Sequence, residues 1–103
     1  MKHIFQRQRI FQHMLKNDIT TQEYRNQMFL GLMEEVVELL KETPHKKHKI
    51  NQTFNREKFI EECVDVQLYL TNLLLSAQCS PEEFEQKIIE KQKINIERQQ
   101  SKY

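Results

Sequence analysis

The chain has 103 residues, with 16 Lys or Arg against 15 Asp or Glu and a formal net charge of +1. That length suits one domain with a modest core, and so small a net charge gives no global field for nucleic acid or an anionic membrane. One Gly and two Pro leave few breaks, and charge carried largely by Lys, Glu and Arg favours helix over strand.

A first helix is expected over about residues 2 to 16, with Ile4, Phe11 and Leu15 on one face and Met14 beside them. Asn17-Asp18 breaks it. Thr20 with Glu23 reads as a capping box, and a second helix is expected over 21 to 42, ended by Pro44. The stretch 44 to 55 is polar and basic, with His45, Lys46, Lys47, His48 and Lys49, and is expected as a loop. A third helix is expected over 55 to 77. Ser80-Pro81-Glu82-Glu83 is a start signal, with Ser at the cap and Pro at the first helical position. The fourth helix then runs to about Gln100. The expected fold class is all-α, a single four-helix bundle-like domain over residues 1–103.

The second and third helices are apolar nearly all round, and such helices need cover on several sides. A chain this short cannot supply it, so a homodimer or homotetramer is expected, with helices of two or more chains packed together. The apolar run 66 to 77 is too short for a membrane span, and Asp65 stands at its edge. Lys2, Arg7 and Arg9 are too diluted to make a signal peptide. A cytoplasmic protein without membrane or nucleic-acid partners is expected. Cys63 and Cys79 have no CxxC spacing and read as reduced structural thiols.

Two acidic clusters sit inside these apolar helices: Glu34-Glu35-Val36-Val37-Glu38 and Glu61-Glu62-Cys63-Val64-Asp65. Glu35 and Glu38 lie one turn apart on one face, Glu34 borders it, and Glu62 and Asp65 repeat the spacing with Glu61 on the flank. If the helices pack antiparallel, the two acidic turns meet at one level. Two carboxylates about 4 Å apart repel by roughly 4 kcal/mol at an effective dielectric near 20. Four together need protons or a cation, and hard oxygen donors suit Mg²⁺ or Mn²⁺. Solvated surface turns facing lysines are the plain alternative. A further stripe, Lys91, Asn95 and Arg98, recurs at i, i+4 and i+7 on the last helix and offers two cations and an amide to a polyphosphate and a sugar or base edge. A basic last turn also merely complements a helix dipole.

With these motifs the chain resembles the MazG-like and dimeric dUTPase superfamily of nucleoside triphosphate pyrophosphohydrolases. The double-Glu turns match over roughly residues 28 to 100, and Lys91-Gln92-Lys93-Ile94-Asn95-Ile96-Glu97-Arg98-Gln99 is similar to the family's closing segment. Tyr103 stands where the family tail has its Tyr. Lys102 in place of Gly, the lack of Trp between residues 43 and 54, and the short chain bear on the base rather than on the phosphate chemistry. The resemblance implies hydrolysis of a (d)NTP to monophosphate and pyrophosphate. It implies Glu35, Glu38, Glu62 and Asp65 as Mg²⁺ ligands and Glu34 or Glu61 as general base, Glu34 being preferred. Lys91 and Arg98 would stabilise the phosphates, Asn95 would contact the sugar or base, and Tyr69 would flank the base. Lys46, Lys47 and Lys49 would close over the phosphates. The competing class is a non-catalytic oligomeric interaction or regulatory module, which accounts for the apolar helices but not the duplicated acidic turns. A di-iron bundle needs Glu-x-x-His pairs, which neither acidic cluster carries.

Overall fold

A computed structural model describes residues 1–43 and 53–101. Its helices, in chain order, are α1 (Lys2–Met14), α2 (Gln22–Lys41), α3 (Arg56–Ser76) and α4 (Pro81–Gln100), with no strand among the described residues. The fold is all-α, as expected. His45, Lys46, Lys47, His48 and Lys49, together with Lys102 and Tyr103, lie outside the described residues. No described helix is long and apolar enough to cross a membrane.

Side-chain caps fix three of the helix starts. Asn55 accepts from the Lys58 N–H at 3.1 Å, and Ser80 from the Glu83 N–H at 3.1 Å, with Pro81 opening α4. The cap of α2 is Thr21 rather than Thr20: its hydroxyl accepts from the Tyr24 N–H at 3.1 Å. Thr20 is occupied one step earlier, where its N–H and hydroxyl both donate to Asp18 Oδ1 at 3.1 and 2.6 Å. An Asx-type turn of this kind competes with helix capping for the same side chain. Lys16, at φ 60°, turns the chain out of α1.

Helices α2 and α3 form the main packing unit, and they run antiparallel. Arg25 Nη2 donates to the Ser76 carbonyl at 3.1 Å, and its Nε to the Ser76 hydroxyl at 3.2 Å. One turn along, Asn72 Nδ2 donates to Met28 Sδ at 3.4 Å. Next comes Gly31, where an added Cβ would run into the ring of Tyr69. The single glycine of the chain thus serves close approach between two helices, not a turn. Beyond it Glu35 faces Glu62 and Asp65.

Helix α1 packs on α3, and α4 packs on α1 alone among the described residues. Phe5 and Phe84 join α1 to α4, with ring centroids 6.5 Å apart. The most buried positions of α1 are not its apolar stripe. Ile4, Phe11 and Leu15 are 40, 49 and 53 % exposed, whereas Phe5 and Gln12 are buried and Gln8 is half-buried between them. The amides win the inside because they find partners there: Gln8 Nε2 donates to Asn72 Oδ1 at 2.9 Å.

The single chain is not closed into a globule. Its radius of gyration is 17.2 Å, where a globular chain of this length packs to about 13 Å. It exposes 8429 Å², against roughly 6200 Å² for a compact monomer of this mass. Apolar helix faces are among what it exposes, including Leu30, Met33, Val37 and Leu40 of α2, each at least half exposed.

Gly31→Ala is expected to lower stability by about 1–3 kcal/mol, the usual cost of overpacking. Urea denaturation measures it. Tyr69→Ala should cost less in the Gly31→Ala background than alone, because there it also relieves the collision.

Candidate functional site

Glu35 of α2 and Glu62 and Asp65 of α3 each bring one carboxylate oxygen within 4.8 Å of the others. The register fixed by Gly31 and Tyr69 puts them there, since Glu35 follows Gly31 by one turn and Asp65 precedes Tyr69 by one turn. Among the described residues no cation pairs with any of the three. Burial pushes the Glu35 carboxyl above its ordinary value, and the negative charges of Asp65 and Glu62 add to the shift, with a hydrogen bond to Glu62 and the charge of Glu38 contributing less. A proton on Glu35 is one way to relieve this repulsion and a divalent cation is the other. An all-oxygen donor set at this spacing suits Mg²⁺ or Mn²⁺.

Glu38 stands outside this trio, with its carboxylate 3.3 Å from Lys41 Nζ on an exposed surface. Glu34 shares the open apolar face of α2 with Leu30, Met33 and Val37, and Glu61 is exposed on α3. Lys91, Asn95 and Arg98 are all exposed on α4, a helix that touches neither α2 nor α3. Within one chain, the basic stripe and the acidic trio are therefore not brought together.

Beside the trio lies a cavity of about 260 Å³, reached from Asp65 and Tyr69 on one wall and from α1 on the other. Its lining mixes apolar side chains, Phe11, Leu15, Met28 and Leu68, with the amides of Gln8, Gln12, Asn17 and Asn72. The amides hold one another: Asn17 Nδ2 donates to Gln12 Oε1 at 2.8 Å, and Gln8 to Asn72. Apolar walls with a few fixed amides fit a flat polar ring such as a nucleobase. Sequence reasoning singled out Tyr69 but missed the four amides. The available signal was Gln8 and Gln12 at i and i+4 with Phe5, a polar pair on a helix whose obvious apolar stripe lay elsewhere.

Comparison with known families agrees with this chemistry. The family model described as dUTPase matches residues 1–103, and the chain belongs to that family, the all-α MazG-like dUTPases. No curated protein and no solved structure matches the chain significantly.

The raised Glu35 carboxyl has a pH signature. A folded-state pKa above the unfolded value means the folded state holds its proton longer, so stability falls as pH rises from the ordinary carboxylate range through the raised value. Thermal melts across acidic to neutral pH should show this fall. Glu35→Gln should flatten it, and Mg²⁺ should offset it at neutral pH by binding the folded state.

Proposed function

We propose, from the premise of a dUTPase-family chain, that this protein is a divalent-metal-dependent pyrophosphohydrolase that converts a deoxynucleoside triphosphate, dUTP foremost, to the monophosphate and pyrophosphate. The observation that carries the reading is the trio Glu35, Glu62 and Asp65, three carboxylates within 4.8 Å that no cation among the described residues pairs with, opening beside an amide-lined cavity.

The trio would hold Mg²⁺, with Glu38 completing the set after release from Lys41. When bound, the ion neutralises phosphate oxygens and makes water acidic enough to lose a proton near neutral pH. Glu34 takes that proton, with Glu61 the other candidate base. The water oxygen bonds to the α-phosphorus, the bond to the bridging oxygen breaks, and pyrophosphate leaves. The base lies in the cavity, flanked by Tyr69, with the amides of Gln8, Gln12, Asn17 and Asn72 also within its walls. Lys91 and Arg98 stabilise charge on the phosphates, and Asn95 contacts the sugar or base.

Those α4 groups need a second copy. The exposed apolar face of α2 is the surface such a copy would cover, and the roughly 2000 Å² of excess exposure per chain is what an obligate dimer buries. A homodimer or homotetramer whose partner helix α4 approaches the acidic trio would complete the site. A cytoplasmic location and a single domain over residues 1–103 are part of the same proposal. The non-catalytic interaction module remains the competing class, and it leaves the carboxylate trio without a purpose.

Pyrophosphate release from a panel of dNTPs and NTPs, with Mg²⁺ or EDTA, tests the proposal. Glu62→Gln is expected to lower kcat by about 100-fold or more, and Arg98→Ala to act mainly on KM. Folded protein that releases nothing from any nucleotide, and whose melting temperature ignores Mg²⁺, would sink it. Met33→Glu is expected to dissociate the oligomer in sedimentation and to abolish activity with it, since it places a charge at the apolar face.

A further inference from the structure

Tyr24 is the one buried residue among those described that leaves a side-chain polar atom unpaired. It is 4 % exposed, and its hydroxyl meets no partner among the described residues. A buried phenol in that state costs free energy until something satisfies it. Its place in the fold indicates what that partner is. Tyr24, Met28, Gly31 and Glu35 recur at i, i+4, i+7 and i+11 along α2, on the side turned to α3. Tyr69 lies on Gly31 and, with Met28, walls the large cavity beside Asp65. Tyr24 itself lines an adjoining cavity of about 210 Å³, and Asn17 is common to both. The Tyr69 hydroxyl has no hydrogen-bond partner among the described residues.

We propose that Tyr24 is a positioning residue for base recognition, its hydroxyl donating to the Tyr69 hydroxyl oxygen when a nucleobase fills the cavity. The proposal rests on the pyrophosphohydrolase reading above and assigns it a base chemistry. Burial, and next the neighbouring Tyr69, raise the Tyr24 pKa to about 12, so Tyr24 is a donor at any physiological pH. Tyr69, accepting from Tyr24, then has its own O–H left to give. A hydroxyl held in that sense has its proton free for a ring carbonyl and one lone pair already used, so it favours a carbonyl over an exocyclic amino group. The pair therefore selects a pyrimidine with a carbonyl over one with an amino group at the edge that reaches Tyr69.

The test compares dUTP with dCTP, which differ in the C4 group, carbonyl against amino, and in the proton on N3, using wild type, Tyr24→Phe, Tyr69→Phe and the double variant. Wild type is expected to favour dUTP in kcat/KM. Tyr24→Phe is expected to lose about tenfold of that preference, through KM, as a lost hydrogen bond to a fixed polar group does. The free variant should melt no lower than wild type, because it has shed only an unpaired hydroxyl. Tyr69→Phe should lose as much, and the double variant no more than either single one. A wild-type preference for dCTP, a preference untouched by Tyr24→Phe, losses that add, or a lowered melting temperature of free Tyr24→Phe overturns the proposal.

If wild type releases pyrophosphate from neither nucleotide, the pairing is judged by equilibrium binding of dUMP and dCMP in EDTA, while the wider nucleotide panel judges the activity. Tighter dUMP binding that Tyr24→Phe weakens about tenfold supports it. Equal binding, no binding, or a difference that survives the substitution overturns it.

Discussion

The contact between Gly31 and the ring of Tyr69 is the constraint on which the rest depends. Two helices meet here so closely that residue 31 has no room for a Cβ. Once that crossing is set, helical geometry places every other pair along it. Arg25 reaches Ser76 in one direction, and Glu35 meets Glu62 and Asp65 in the other. A one-residue slip would rotate the acidic turns away from each other by about 100°. The apolar contact therefore does the aligning, while the charges, which repel, could not align themselves.

This division explains why the site can hold like charges at all. Three carboxylates within 4.8 Å oppose folding wherever they are ionised, and the raised Glu35 carboxyl records the strain. A helix pair fixed by apolar contact and by the Arg25 fork can hold that arrangement ready for a cation. The same economy leaves the Tyr24 hydroxyl unpaired at the other end of the contact face. Both features cost stability in the free protein, and both lie beside the cavity. Local violations of polar satisfaction and charge balance tend to gather where a protein binds something.

Sequence patterning carried much of this. The four helices follow from turn spacing and from breakers such as Asn17-Asp18 and Ser80-Pro81, and the two acidic turns were legible as groups that meet if their helices pack antiparallel. Family membership was legible in the double-Glu turns and in the closing segment of α4. Other features were not legible, for reasons visible at particular residues. Thr20 looked like the cap of α2, but Asp18 claims its hydroxyl and Thr21 caps instead. The apolar stripe of α1 was legible, but not that Gln8 and Gln12 turn inward, where Asn72 and Asn17 satisfy them. Hydrophobic periodicity cannot register such a preference, since the partners are over sixty residues away for Gln8.

By itself, then, the sequence determined the elements and the chemistry they carry: helices from spacing and caps, and carboxylates duplicated one turn apart on two of them. These are local properties, written within a few residues of one another. Only the tertiary structure decided which carboxylates share a point in space, that Glu38 turns to Lys41 instead, and that amides of α1 line the cavity beside them. It also placed α4 against α1, away from the acidic trio. Those outcomes depend on helix crossings, and a crossing is set by the fit of side chains far apart in the chain, here by a ring that lies where a glycine leaves room for it.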